Sequence, residues 1–156
     1  MFKTCSGRPI TYYGKEYTKG ITKITSDFEG IDTVDKLFEK LLDCWCKSTA
    51  YPDCQENYDN EENPTFGQCA ITATLVHDIF GGTIHKIFLD GGGTHYFNKI
   101  DNKYIDLTSN QFLYYSFPIE YEPNQEIERE YCGKNQNTLQ RFNLLVDLLK
   151  KELNNG

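Results

Sequence analysis

The stretch from Cys69 to Phe80, Cys-Ala-Ile-Thr-Ala-Thr-Leu-Val-His-Asp-Ile-Phe, is apolar or small at almost every position. Turn formers bound it, with Asn63-Pro64-Thr65-Phe66-Gly67-Gln68 ahead and Gly81-Gly82 behind. Periodicity alone does not separate a buried helix from a buried strand in such a run. Length does, because the run exceeds a usual strand and a glycine pair suits a helix C-cap. A helix apolar on nearly every side must lie at the centre, with other elements packed around it.

The remaining patterns supply those elements. Asp32 is placed to cap a helix starting at Thr33, and Val34, Leu37, Phe38, Leu41, Leu42 and Trp45 form one apolar face of an N-terminal amphipathic helix ending near Lys47. Thr83 to Leu89 reads as a strand, and Asp90-Gly91-Gly92-Gly93 as a turn into a second strand, Thr94 to Ile100. Asp101-Asn102 then turn the chain into a partner strand, Lys103 to Thr108. The aromatic stretch Phe112 to Tyr121 suggests a further strand, at an edge because of Pro118, before a polar loop from Glu122 to Gln136. Leu139, Phe142, Leu145, Val146, Leu149 and Leu153 mark a C-terminal amphipathic helix. Tyr51 to Asn63 carries Asp53, Glu56, Asp59, Glu61 and Glu62 with no Lys or Arg, which reads as a solvated acidic loop with room to act as a lid. Residues 1 to 30 give short β-prone pieces without clean alternation. The expectation is one α+β domain over residues 1–156, with a central helix against an antiparallel sheet.

Composition narrows the function. With 16 Lys+Arg against 23 Asp+Glu, a formal charge of -7, the chain lacks the basic footprint that selects nucleic acid. No apolar run reaches the roughly 18 residues that span a bilayer, and the first residues lack the apolar stretch of a signal peptide. The expectation is a soluble, cytoplasmic protein without nucleic-acid or membrane partners. In such a reducing compartment the six cysteines are expected as thiols rather than disulfides. Cys44-Trp45-Cys46 has no second pair, and no cofactor or metal motif is visible.

One constellation has the residue types for thiol chemistry. Cys69 falls in the first turn of the expected central helix, where unpaired N–H groups and the helix dipole favour a thiolate. The Cys69 N–H and the Gln68 side chain are candidates to hold an oxyanion. Among the imidazoles, His77 is two helical turns away, about 12 Å along the axis. His85 lies on the first strand and competes with His95, but the partner strand of His95 carries Asp106, a carboxylate able to orient the ring. An even-length turn at Asp101-Asn102 sets Asp106 opposite Phe97, diagonal to His95 on the same face, at a backbone separation of about 7 to 8 Å that two side chains can bridge. An odd turn would send it to the other face. Asn98 and Gln111 are candidates for orienting substrate or triad, with structural hydrogen bonding as the plainer role. Trp45 is a substrate-side candidate that also suits the helix core.

Trp45 with Ser48-Thr49, the run Asn63 to Ala73, Phe80-Gly81-Gly82, His95-Tyr96-Phe97-Asn98, and Ile105-Asp106-Leu107-Thr108 with Gln111-Phe112 resemble the YunG-like group of uncharacterised bacterial proteins, over roughly residues 35 to 115. The order helix-borne Cys, strand-borne His, strand-borne Asp is also similar to the papain-like and transglutaminase-like superfamily of peptidases, amidases and acyltransferases. That resemblance implies a papain-like α+β fold and thiol chemistry on an acyl group. The Cys69-to-His95 and His95-to-Asp106 spacings are compact for it.

Two functions follow as expectations. The first is a cysteine hydrolase or acyltransferase acting on an amide, peptide or thioester carbonyl of a small molecule or peptide, through Cys69, His95 and Asp106. The second is a non-catalytic binding or interaction module on the same scaffold. A metal site built from Cys69 with His85 or His95 has the weakest support, since the ligand spacing matches no familiar pattern.

Overall fold

The computed structural model describes residues 2–90, 92–114 and 119–155, without the side chains of residues 113, 114, 132 and 133. Its centre is helix α3, Cys69–Phe80, in which eight residues from Ile71 to Phe80 are buried. α3 packs against the sheet strand Thr94–Ile100 on one side and the C-terminal helix Gln136–Asn155 on another, as an all-round apolar helix must. Gly81, at φ 83°, ends it with its N–H on the His77 carbonyl.

Ahead of α3, strands β1 (Phe2–Lys3) and β2 (Pro9–Ile10) form a small hairpin. Helix α1 covers Val34–Leu41 and is capped by Thr33, whose hydroxyl accepts from the Lys36 N–H at 3.0 Å, one residue beyond the expected Asp32 cap. Its predicted apolar face is buried throughout. The helix is shorter than expected because Asp43 and Cys44 bond three residues back and Cys46 is extended, feeding a single turn at Lys47–Thr49. A short helix α2, Pro52–Gln55, interrupts the acidic loop, whose five carboxylates are all exposed.

The main sheet is antiparallel, with β3 (Thr83–Phe88), β4 (Thr94–Ile100), β5 (Lys103–Ile105) and β6 (Gln125–Ile127) in the order β5-β4-β3-β6. The chain is thus a mixed α+β protein. Three elements correct the sequence reading. The expected strand from Phe112 to Tyr121 begins inside helix α4, Asn110–Tyr114, because Thr108 and Ser109 start i+3 turns that the aromatic content disguises; residues 115–118 lie outside the described residues. Conversely, the expected polar loop supplies edge strand β6, which pairs Ile84 with Ile127, and helix α5, Arg129–Gly133. β6 pairs through its backbone and half-buries only Ile127, so it leaves no alternating apolar signature. Helix α6, Gln136–Asn155, starts where Asn135 accepts from the Asn137 and Thr138 N–H groups, and it buries Arg141, Leu145 and Leu149.

The two sheet faces have different occupants. Ile100 joins the core around α3, whereas Ile87, Phe97 and Tyr121 form a second apolar cluster. Among the described residues no helix is long and apolar enough to cross a membrane.

Candidate active site

The β4–β5 turn fixes the side chains that matter. Asp101 and Asn102 both have positive φ, 51° and 66°, which matches the twist of a two-residue hairpin. Asn98 therefore pairs with Ile105, the register of an even-length turn, and the ladder ends there. Asp106 itself leaves β4 and bridges to Tyr13, through N–H···O bonds of 3.0 and 3.3 Å. The otherwise unassigned N-terminal segment thus holds the aspartate backbone. Gly14, at φ 91°, permits the approach, since a Cβ there would lie 2.3 Å from the Tyr104 carbonyl oxygen.

His95 and Asp106 are each 1% exposed and meet at 2.7 Å, imidazole Nε2 to carboxylate Oδ2. Tyr121 donates its hydroxyl to the same oxygen at 2.8 Å, and the other oxygen accepts from the Thr108 N–H and hydroxyl at 3.1 and 3.2 Å. A buried carboxylate needs such a shell. The His95 ring lies between Phe97, at 6.0 Å, and the edge-on Phe112, at 4.6 Å.

With Nε2 committed to Asp106, Nδ1 is the nitrogen that faces the rest of the site. The Gln111 amide lies 3.3 Å from it and accepts the Gly67 N–H at 3.4 Å, tying the histidine to the corner that precedes Cys69. Cys69 is half-buried and near enough to His95 to act on the charge of its ring. Burial alone would push the His95 pKa down, but the Asp106 charge and hydrogen bond, joined by Cys69, raise it to about 10. Burial pushes the Tyr121 phenol well above its usual range, and Asp106 pushes it further, so it remains a donor.

Cys69 opens onto a cavity of about 1100 Å³, bordered also by Tyr51, Tyr96, Gln111, Phe112 and Arg141. The other candidates have inward partners. Gln68 is fully buried and donates to the Cys46 carbonyl at 3.0 Å, Asn98 donates to the Ala73 carbonyl at 2.9 Å, and the Trp45 indole donates to Thr72 at 3.0 Å. All three brace α3. Neither other imidazole approaches this arrangement: His77 bonds the Gly82 carbonyl, and both ring nitrogens of His85 are occupied, by Thr83 and Asn124. Among the described residues no group of three or more His, Cys, Asp or Glu gathers that could hold a metal ion.

Sequence reasoning missed Tyr13, Tyr121 and Arg141. Tyr13 and Tyr121, whose rings pack at 4.5 Å, reach Asp106 from segments without recognisable periodicity. Arg141 had one available signal, a cation amid the apolar positions of α6.

No solved structure matches this chain. The uncharacterised protein YunG of Bacillus subtilis (strain 168) is 45% identical over 62 residues, which cover 40% of this chain and 50% of that protein, so the match spans half the relative's length. Residues 33–154 match the family described as YunG protein, most of the chain and all three of Cys69, His95 and Asp106; the chain belongs to the YunG family.

Proposed function

We propose that the protein is a cysteine hydrolase or acyltransferase that works through a covalent thioester. The observation that carries this reading is the buried His95–Asp106 bond at 2.7 Å, with the second ring nitrogen beside Gln111 and with Cys69 near enough to act on the ring. Asp106 keeps a proton on Nε2, so Nδ1 is the basic nitrogen. In the proposed reaction the thiol proton is held on Nδ1, as the raised His95 pKa favours, and the sulfur attacks an amide, peptide or thioester carbonyl, forming a C–S bond. The Cys69 backbone N–H, without an intrahelical partner at the first turn, donates to the oxyanion. Collapse breaks the bond to the leaving group, which takes the proton from Nδ1 and leaves the thioester. Water or another acceptor, deprotonated by His95, then releases the acyl group and restores the thiol. The order helix-borne Cys, strand-borne His, strand-borne Asp supports assignment to a papain-like scaffold, and the inward partner of Gln68 leaves the backbone N–H as the oxyanion donor.

The test is alkylation of the native protein with iodoacetamide at neutral pH, with mass spectrometry locating the label. Cys69 should label ahead of exposed Cys5, whereas burial raises the pKa of Cys44, to about 12, and that of Cys54, which keeps both slow. The preference for Cys69 should vanish in His95→Ala. Uniform slow labelling, unaffected by His95, would overturn the catalytic reading in favour of a binding module.

A further inference from the structure

Arg141 projects from α6 to the cavity that Cys69 borders, yet it is only 7% exposed. Its guanidinium is held by neutral groups: Nε donates to Asn137 Oδ1 at 2.8 Å, Nη1 to the Thr49 carbonyl at 3.1 Å, and Nη2 to Thr138 Oγ1 at 3.4 Å. The Tyr51 ring lies 5.8 Å from it. Among the described residues no carboxylate stands within ion-pair distance of it, although Asp78 takes Arg129 and Asp35 takes Lys15. A buried cation that is oriented by hydrogen bonds and lacks a counter-charge is costly for stability alone. Fixed, planar donors beside a nucleophile suit recognition of a carboxylate.

We infer that Arg141 is an anion subsite, and that the acyl compound accepted by this cavity carries a carboxylate near the carbonyl that Cys69 attacks. The inference rests on the thiol reading above for the identity of the attacked group, but the subsite itself does not need turnover. Negative charge at Cys69 acts on Arg141, offsetting the downward pull of burial on its pKa, so the sulfur and the guanidinium share one electrostatic neighbourhood. Three of the five guanidinium N–H groups go to Asn137, Thr49 and Thr138, and the others are available for an anion.

Iodoacetate and iodoacetamide differ chiefly in charge, and each alkylates a thiolate by forming an S–C bond as iodide departs. Cys69 should react about tenfold faster with iodoacetate than with iodoacetamide, an attraction of ~1.4 kcal/mol. Arg141→Gln should abolish the preference, Arg141→Lys should keep most of it, and 0.5 M KCl should erode it in the unaltered protein. Succinate binding to a Cys69→Ala chain, followed by calorimetry, reads the subsite without the thiol and should weaken about tenfold on adding Arg141→Gln. Thermal melting reports whether Arg141→Gln folds; if it does not, the Lys variant and the salt dependence decide. A labelling ratio near one in the unaltered protein, with no succinate binding, would overturn the subsite. Selective Cys69 labelling with that ratio would overturn the subsite and spare the thiol reading. Succinate binding without selective labelling would do the reverse.

Discussion

The two halves of the candidate site are built on opposite principles. On the strand side, Asp106 is 1% exposed and receives the imidazole, a phenol, a hydroxyl and a backbone N–H, while its own backbone is clamped to Tyr13. On the helix side, Cys69 is half-buried and opens onto a cavity of about 1100 Å³. A charge taken out of water survives only where donors replace that water, so the carboxylate side is over-determined. In the proposed reaction the sulfur meets a substrate, and its surroundings leave it room. On that reading rigidity is concentrated where the proton would be managed and openness where the bond would form.

The sharpest way to break this contrast is to remove the carboxylate. Asp106→Ala leaves the His95 imidazole, Tyr121 hydroxyl and Thr108 N–H without their shared acceptor. Loss of one partner from a buried pair costs ~3–5 kcal/mol. A large fall in melting temperature and loss of the Cys69 labelling preference are expected together. An unchanged melting temperature would mean that the strand half is not the rigid one.

The charge state of the pair gives a second lever. Because the His95 pKa is raised from 6.5 to about 10, the stability it contributes is fully present below pH 6.5. It is lost as pH rises through about 10. Melting curves of the unaltered protein and His95→Gln should therefore converge between neutral pH and pH 10 to 11. Curves that stay parallel over that window would place the protonated imidazole outside the stabilising network.

A smaller effect is expected at Tyr121. Tyr121→Phe removes one donor from Asp106 Oδ2 but leaves the His95 bond in place, which should cost ~1–3 kcal/mol. If the phenol helps to position the carboxylate, the variant should also narrow the labelling advantage of Cys69. A variant that loses stability while labelling is unchanged would make Tyr121 a packing residue only.

Which parts were legible in the sequence follows the same division. The central helix, the β4–β5 register and the His95–Asp106 encounter were readable because each follows from periodicity or turn length, and a single even-length turn decides on which face Asp106 falls. The support shell was not readable. Tyr13 reaches Asp106 from an irregular N-terminal segment far away in the sequence, and Tyr121 follows a helix whose aromatic residues imitate a strand. Edge strand β6 escaped because backbone pairing leaves no mark on polar side chains. Gln68 looked like an oxyanion donor from its place beside Cys69, but the sequence does not show that the Cys46 carbonyl occupies its amide. Long-range satisfaction of buried polar groups is set by tertiary geometry, and a local pattern does not contain it.

The weakest expected perturbation bears on that legible part. Asp101 and Asn102 both sit at positive φ, a conformation that glycine adopts freely and that Asn tolerates better than most residues. Asn102→Gly keeps the turn at two residues and relieves the left-handed strain. It should change stability by no more than ~1 kcal/mol, with the labelling of Cys69 unaltered. Inserting one glycine after Asn102 provides the contrast. It makes the turn odd, and unless a bulge absorbs the extra residue it sends Asp106 to the face away from His95. Selective labelling that survives the substitution and disappears on insertion would tie Cys69 reactivity to strand register. If it survived both, the imidazole would be acting without the carboxylate, and the rigid half of the site would be scaffolding.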